Sequence, residues 1–406
     1  MPRVVRYNIL LYLLALITCA TSVQAQQFEI SGNKKRVYVP FKIIRSMVVI
    51  QLKINEKGPY NFILDTGVGI MLITDPLLAD SLDIVNKRTI KIAGLGEREN
   101  YEAIVAPLVS VNISDRLISR NVSAAILKED FFGLSNYAGI PIHGLLGNDF
   151  FSKLAVKISF TDSMLVASRP GGLRVFRKAE KIPLTIEAGK PYMKTRVALS
   201  NGNEKINKLL VDLGAGHSLS LENIDSLPEK CIRANLGIGL NGLIDGHLGR
   251  VNHLTIGKYG IKDIITSFPA DDPSFKTSIP RNGSIGMGTL KRFDIIFDYQ
   301  NSVMYLKPNF HFKETFEHDM SGISYHAGGK NFDHLIVEKV DEGSPAAEMG
   351  VQPQDEIISI NFRPVSKMSM QQIDDLLKSR DGRTILLELY RDKVTDRVLL
   401  TLKRRI

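Results

Sequence analysis

The sequence of 406 residues contains no tryptophan and only two cysteines, Cys19 and Cys231. Cleavage of an N-terminal signal would leave Cys231 alone, so we expect no intramolecular disulfide and no thiolate zinc site. The eight histidines form no His-Glu-x-x-His motif, so we expect neither a metal nor another cofactor. The 52 Lys and Arg residues are scattered among 43 acidic ones. Without a basic stripe interleaved with stacking aromatics, the sequence predicts no nucleic-acid partner.

Long apolar runs are missing beyond the N-terminus, where residues 9–17 form an apolar stretch after two arginines. This stretch is too short to cross a bilayer, and the small-residue ending at residues 23–25 completes a layout typical of a secretory signal. We therefore predict a signal peptide, no transmembrane helix, and an exported protein that resides in a periplasm or cell envelope or is secreted. Cleavage just before Cys19 is the alternative, in which this cysteine is lipidated, although the threonine before it fits poorly.

A chain of this length exceeds what one core usually serves, and residues 37–165 and 183–307 carry four landmarks in the same order. Each stretch has an apolar strand that runs into an Asp-x-Gly turn, then a glycine-punctuated hairpin, a Gly-containing apolar segment and a strand with phenylalanine. The landmarks are Asp65-Thr66-Gly67, Gly94 to Gly96, Leu145-Leu146-Gly147 and residues 154–160, then Asp212-Leu213-Gly214, Gly237 to Gly239, Ser284-Ile285-Gly286 and residues 293–299. The shared order predicts a duplication.

The two Asp-x-Gly turns are the candidate chemistry. Asp65 and Asp212 each follow an apolar strand and precede a turn glycine, so each carboxylate is expected at the end of a buried strand. Two such turns facing each other would bring the carboxylates together. Because like charges about 3 Å apart do not both ionise, the pair would share one proton and hold one water. Two turn aspartates without a catalytic role remain the alternative.

At these residues the chain resembles the retropepsin-like and pepsin-like aspartic proteases. The resemblance rests on residues 62–67 (Phe-Ile-Leu-Asp-Thr-Gly) with 145–148 (Leu-Leu-Gly-Asn), and less closely on residues 210–214 with 284–286. It implies catalytic roles for Asp65 and Asp212 and an endopeptidase that acts on peptide or protein substrates. It further implies two sets of supporting residues, the catalytic-loop residues Thr66, Gly67, Gly214, Gly147 and Gly286 and the substrate-covering flap residues Gly94, Gly96, Gly237 and Gly239.

Leu213 departs from the family, which carries Thr or Ser there to cross-link the two catalytic loops. A hydrogen bond of this kind contributes about 0.5–1.5 kcal/mol net, and Thr66 can supply half of the arrangement. This departure motivates a second hypothesis, a catalytically inactive peptide-binding scaffold. A third is that the first copy pairs with the first copy of another chain, so the oligomeric state stays open.

The last part of the chain changes character. Ser344-Pro345 predicts the start of a short helix that ends at Gly350, and Ser369 with Gln372 forms a capping-box pattern ahead of a second helix. Residues 340–361 resemble a bacterial PDZ domain, a module that adds an extended peptide to a sheet edge. The resemblance implies a carboxylate-binding loop and peptide contacts at Gly328, Gly329 and Phe332. A packing module that binds nothing is the alternative.

These observations predict a mainly β protein, with two retropepsin-like β-barrel lobes that form a pepsin-like bilobal unit and a C-terminal α+β PDZ domain. The expected boundaries are residues 1–25 for the signal peptide, 26–172 for lobe 1, 173–308 for lobe 2, 309–321 for a linker and 322–406 for the PDZ domain.

Three weaker signals are set aside. Residues 237–242 fit G-x-G-x-x-G literally, but no helix pattern follows, so a hairpin is favoured over a dinucleotide site. His217 lies close to the second turn, and we interpret it as a hydrogen-bonded histidine in preference to a cleft residue. Ser218 lacks the strand-turn-helix context of a nucleophile elbow.

Overall fold

The computed structural model describes residues 28–82, 88–92, 101–200, 202–222, 224–239, 242–270 and 279–406. Strands and helices are numbered along the chain within these ranges. Alternating burial accounts for many strands, as in residues 36–40, where Val37 and Val39 are buried and their neighbours are exposed. One face of such a strand joins the core and the other faces solvent.

The described residues of the first barrel form nine strands. They are β1 (Glu29–Ile30), β3 (Lys42–Ile44), β4 (Met47–Ile54), β5 (Lys57–Leu64), β6 (Met71–Ile73), β7 (Arg88–Ile92), β8 (Tyr101–Ser114), β9 (Leu117–Leu127) and β10 (Gly144–Leu146). Their order is β1-β9-β6-β10-β5-β4-β8-β7, with β3 on β4 and a further β8–β9 pairing that closes the barrel. Strand β5 starts exposed and ends fully buried, and it therefore carries the chain into the interior at Asp65.

The second barrel has eight strands with the same plan. They are β14 (Thr185–Glu187), β15 (Lys190–Ala198), β16 (Glu204–Val211), β17 (Leu219–Leu221), β18 (Cys231–Gly239), β19 (Gly242–Ile256), β20 (Tyr259–Pro269) and β21 (Gly283–Ile285). Their order is β14-β15-β16-β21-β17-β20-β19-β18, and β15 also pairs with β19. Strand β16 repeats the exposed-to-buried change of β5.

A six-stranded bridging sheet draws three strands from each half of the chain. They are β2 (Arg36–Pro40), β11 (Ala155–Ser159), β12 (Met164–Ser168), β13 (Glu180–Pro183), β22 (Phe293–Asp298) and β23 (Val303–Pro308). In the order β13-β23-β22-β11-β12-β2, the two halves meet where β11 pairs antiparallel with β22, in the register Val156↔Phe297. One hydrophobic core runs through this sheet and both barrels.

The C-terminal unit has its own core and six strands. They are β24 (Ile323–Gly328), β25 (His334–Val340), β26 (Glu356–Ile360), β27 (Arg363–Pro364), β28 (Thr384–Arg391) and β29 (Val394–Thr401). The order β24-β25-β26-β28-β29, with β27 on β26, makes β24 a terminal strand of the sheet. The predicted mainly β fold with barrel sheets is confirmed.

In the described ranges, six short α-helices and two 3₁₀ turns connect the strands. The helices are α1 (Leu78–Ser81), α2 (Leu134–Ala138), α3 (Asn148–Phe151), α4 (Met287–Leu290), α5 (Pro345–Glu348) and α6 (Met370–Leu377), and the 3₁₀ turns are Phe310–Lys313 and Val365–Lys367. Both helix starts predicted in the C-terminal unit are confirmed. Ser344 accepts a hydrogen bond from the Ala347 N–H, and Ser369 forms the capping box with Gln372.

Residues 309–321, expected as a linker, are packed against both neighbouring units. Phe316 is buried in the core of the barrels, whereas Met320 is buried in the core of the C-terminal unit. The guanidinium of Arg292 lies 3.6 Å above the Phe316 ring. The connection is therefore part of the folded structure.

Candidate active site

The same backbone arrangement presents both aspartates. Strand β10 lies parallel to β5, with Leu146 beside Leu64, and β21 lies parallel to β16, with Ile285 beside Val211. The Asp65 N–H donates to the Leu146 carbonyl and the Asp212 N–H donates to the Ile285 carbonyl, both at 2.9 Å. Each aspartate therefore directly follows the carboxyl end of its own strand. Its backbone N–H is hydrogen-bonded to the last residue of the parallel neighbouring strand.

The two carboxylates share one site. The Gly67 N–H donates to Asp65 Oδ1 at 2.6 Å, and the Gly214 N–H donates to Asp212 Oδ1 at 2.9 Å. Each turn glycine also faces the opposite carboxylate. A Cβ added to Gly214 would lie 2.2 Å from Asp65 Cγ, and one added to Gly67 would lie 2.8 Å from Asp212 Oδ2. Only glycine leaves room for this approach.

The Thr66 hydroxyl links the two turns. It donates to the Val211 carbonyl at 2.6 Å and accepts from the Leu213 N–H at 2.9 Å. Leu213 is fully buried within the barrel core. It has no hydroxyl that could form the reciprocal hydrogen bond from the second turn to the first. The arrangement is therefore cross-linked by a side chain from the first turn, as expected from the departure at Leu213.

Gly147 and Gly286 lie directly behind the turns. A Cβ on Gly147 would meet the Val68 carbonyl at 2.3 Å and the Asp65 carbonyl at 2.5 Å. A Cβ on Gly286 would meet the carbonyls of His217 and Ala215 at 2.4 and 2.5 Å. Because backbone is the obstacle, no side chain fits at either glycine without moving a turn.

Burial raises the pKa of Asp65 well above its ordinary value, and the negative charge of Asp212 adds to the rise. The Gly67 N–H and the positive charge of Lys190 oppose it. A carboxyl with a raised pKa beside a second carboxyl is the arrangement in which two acids hold one proton between them.

Three further side chains surround the pair, and no sequence signal pointed to two of them. Lys190 begins β15, and burial lowers its pKa while Asp65 and Asp212 raise it. The buried Tyr299 hydroxyl has no hydrogen-bond partner among the described residues, and burial raises the pKa of Tyr299 well above its usual value. His217 contacts Ser284 Oγ through Nε2 at 2.9 Å, so it is hydrogen-bonded and also lies close to Asp212.

The predicted flaps are described only in the second barrel. Strands β18 and β19 form an antiparallel hairpin in the register Gly239↔Gly242, and Gly237 has φ of 115°, a conformation that favours glycine. In the first barrel, β7 and β8 pair up to Ile92↔Tyr101. Gly94 and Gly96 lie outside the described residues.

The residues predicted for peptide binding in the C-terminal unit lie in the connection between β24 and β25. Gly328 ends β24, Gly329 and Phe332 have φ of 78° and 56°, and the Phe332 N–H donates to the Gly329 carbonyl at 3.3 Å. The connection is thus a closed turn, and Phe332 lines a cavity beside α6.

Among the described residues, no three His, Cys, Asp or Glu side chains are grouped to bind a metal ion.

Comparison with known proteins supports two units. Residues 50–150 match the family model for aspartyl protease, and residues 336–391 match the family model for a PDZ domain. The chain therefore contains an aspartyl protease-like domain and a C-terminal PDZ domain. The first match includes the Asp65 turn, whereas the Asp212 turn lies outside it. No helix in the described parts of the chain has the length and apolar character to span a membrane.

Individual relatives are similar over short stretches. The carboxy-terminal processing protease CtpA of Bacillus subtilis (strain 168) is 33% identical over 93 residues, which make up 23% of this chain and 20% of the relative. The chain thus spans about a fifth of the length of this curated relative. A photosystem II D1 C-terminal processing protease is 21% identical over 20% of this chain and 22% of that chain, with a TM-score of 0.19. A PDZ domain protein from Parabacteroides distasonis ATCC 8503 is 22% identical over 21% of this chain and 20% of that chain, also with a TM-score of 0.19.

Proposed function

We propose that this protein is an exported aspartic endopeptidase in which Asp65 and Asp212 act as one pair. The observation that carries the proposal is the reciprocal packing of the two turns, where each glycine faces the other turn's carboxylate. The aspartyl protease match over residues 50–150 supports peptidase activity. The bilobal assembly, with residues 26–172 as lobe 1 and 173–308 as lobe 2, is part of the proposal.

In this mechanism the carboxylate of the pair takes a proton from a water held between the two aspartates, and the water attacks the scissile carbonyl. The protonated carboxyl donates its proton to the developing oxyanion. The proton taken from the water then passes to the amine, which leaves as the C–N bond breaks. No covalent intermediate forms. The raised pKa of Asp65 favours Asp65 as the protonated member.

The substrate is proposed to lie across the two turns, beneath the β18–β19 hairpin. Glycine in that hairpin allows close approach to a peptide backbone. The PDZ domain is proposed to bind peptide segments, and the N-terminal 25 residues are proposed to direct export to a periplasm or cell envelope.

The test is cleavage of a peptide library by the mature chain between about pH 3 and pH 8. Asp65→Asn and Asp212→Asn should each lower the cleavage rate by more than about 100-fold, while Asp80→Asn at an exposed position should leave it unchanged. Activity should fall as the pH rises through the raised pKa of Asp65, because the protonated acid is then lost. Loss in Asp65→Asn alone would favour pairing between two chains.

A catalytically silent peptide-binding scaffold is the second candidate, favoured by Leu213 in place of a hydroxyl residue. A folded wild-type protein that cleaves no library peptide at any pH, yet binds some of them in a manner independent of both aspartates, would contradict the protease and support the scaffold.

A further inference from the structure

The β24 edge of the C-terminal sheet is covered by the first barrel. Strand β24 ends the sheet, and such an edge presents backbone groups that accept another strand. Here the Tyr325 carbonyl accepts from Arg45 Nη1 at 3.3 Å, and the Ala327 carbonyl accepts from Asn136 Nδ2 at 2.8 Å. Side chains of the first barrel thus occupy acceptors that an added peptide strand would use.

Arg45 is held there by a nearly buried acidic side chain. Its Nε and Nη2 donate to the two carboxylate oxygens of Asp374 on α6, both at 3.0 Å, and both side chains are 10% exposed. The guanidinium lies 4.0 Å from the ring centroid of Tyr137 and 4.8 Å from that of Tyr325. Tyr325 also donates its hydroxyl to Asp374. The bidentate carboxylate of Asp374 and the two neighbouring aromatic rings match the planar donors of a guanidinium. They match an ammonium group less well.

A mainly apolar cavity of about 170 Å³ lies beside this pair, and its lining includes the polar residues Asp333, His334 and Gln371. Both units contribute to its wall, through Ile44 and Ile140 of the first barrel and Leu335, Met368, Met370 and Ile373 of the C-terminal unit. An apolar cavity of about 150 Å³ accommodates one benzene molecule. The space therefore fits one aromatic or branched aliphatic side chain.

Resting on the peptide binding proposed for the PDZ domain, we propose that this edge recognises an extended peptide that carries an arginine next to an apolar side chain, and that the first barrel occupies the site in cis through Arg45. A peptide in trans competes with the barrel for the same surface. Its arginine takes the place of Arg45 on Asp374, its backbone N–H groups take the Tyr325 and Ala327 carbonyls, and its apolar side chain enters the cavity.

The charge of Asp374 decides which peptides compete. Removing Arg45 without replacing it would leave a carboxylate that is nearly buried and unpaired, and this is strongly unfavourable. A peptide without arginine displaces Arg45 at that cost, whereas a peptide with arginine restores the pair. Discrimination thus comes from an unpaired charge in the wrong complex.

The test is fluorescence anisotropy with a labelled peptide that copies residues 41–47 (Phe-Lys-Ile-Ile-Arg-Ser-Met) and a matched peptide with glutamine in place of the arginine. The protein is the full mature chain with Asp65→Asn, which prevents cleavage of the probe. Adding Arg45→Ala should tighten binding of the arginine peptide by about tenfold or more relative to the Arg45 chain, and the glutamine peptide should bind this variant about tenfold or more weakly than the arginine peptide.

Two further variants guard against a folding effect. Arg391→Ala removes the partner of a different buried carboxylate in the same unit, Asp355, and should not tighten binding. Asn136→Ala removes only the contact with Ala327 and should tighten binding by about threefold, which keeps the test available where Arg45→Ala does not fold. Equal binding to the chains with and without Arg45, equal affinity of the two peptides, or no binding to any variant would each overturn the proposal.

Discussion

At the scale of single residues, the Thr66 hydroxyl is the group that joins the two Asp-x-Gly turns. We expect Thr66→Val to lower the free energy of unfolding by about 3 kcal/mol, because it leaves the buried Leu213 N–H and Val211 carbonyl without their hydroxyl partner. Chemical denaturation measures the change. Thr66→Ser retains the hydroxyl and is the matched control, with an expected loss below about 1 kcal/mol. An equal loss in both variants would mean that packing of the methyl group, and not the hydrogen bonds, stabilises the turns.

The raised pKa of Asp65 makes the stability depend on pH. The folded protein binds the proton of this carboxyl more tightly than the unfolded chain does. In the unfolded chain the pKa of an aspartate has its ordinary value of 3.8. This contribution is complete below the ordinary value and is lost as the pH rises through the raised one. Asp65→Asn is neutral at every pH, so the Tm of this variant minus the Tm of the wild type should increase as the pH rises from about 4 towards the raised pKa.

The control for removing one negative charge is Asp115→Asn, at an exposed turn. Thermal melts of the three proteins at several pH values make the comparison. A difference between Asp65→Asn and the wild type that stays constant over this range would show that Asp65 carries no raised pKa.

At the scale of elements, the close approach of each turn to the opposite carboxylate depends on glycine. A Cβ at Gly214 would lie 2.2 Å from Asp65 Cγ, whereas one at Gly216 would meet nothing closer than 3.8 Å. We expect Gly214→Ala to destabilise the protein by about 1–3 kcal/mol and to lower any cleavage rate by about 100-fold. Gly216→Ala, two residues away, should change neither by a comparable amount. Equal effects would show that the carboxylates do not lie where the turns place them.

The turns and the helix caps could be predicted from the sequence because their signals are local. Asp65 and Gly67 are two residues apart, and so are Asp212 and Gly214, so a short motif specifies each turn. The contacts between units carry no such signal. Arg45 and Asp374 are 329 positions apart, and nothing near either residue indicates the other. Lys190 is likewise brought to the pair by the β14–β15 turn, which the spacing of motifs does not reveal.

At the scale of the whole molecule, the bridging sheet makes the two halves depend on each other. The two strands at its centre, β11 and β22, come from different halves of the chain. A separated half would expose β11 or β22 as an unpaired edge, which is a template for pairing with another strand. Through β11 or β22, each half is therefore expected to associate either with the other half or with a second copy of itself.

We expect the chain to tolerate a cut after Gly172, since it directly follows the exposed turn residues 169–171 and exposed turns accept nicks. Fragments 26–172 and 173–406, refolded together, should form a one-to-one complex in analytical ultracentrifugation, because the β11–β22 pairing restores the sheet. Fragment 26–172 alone should self-associate through β11, as two copies related by a twofold axis can pair antiparallel. Lys157→Pro removes an N–H within the strand and should abolish both associations, whereas Lys157→Ala keeps that N–H and is its control. Monomeric fragments that do not combine would mean that each barrel folds without the shared sheet.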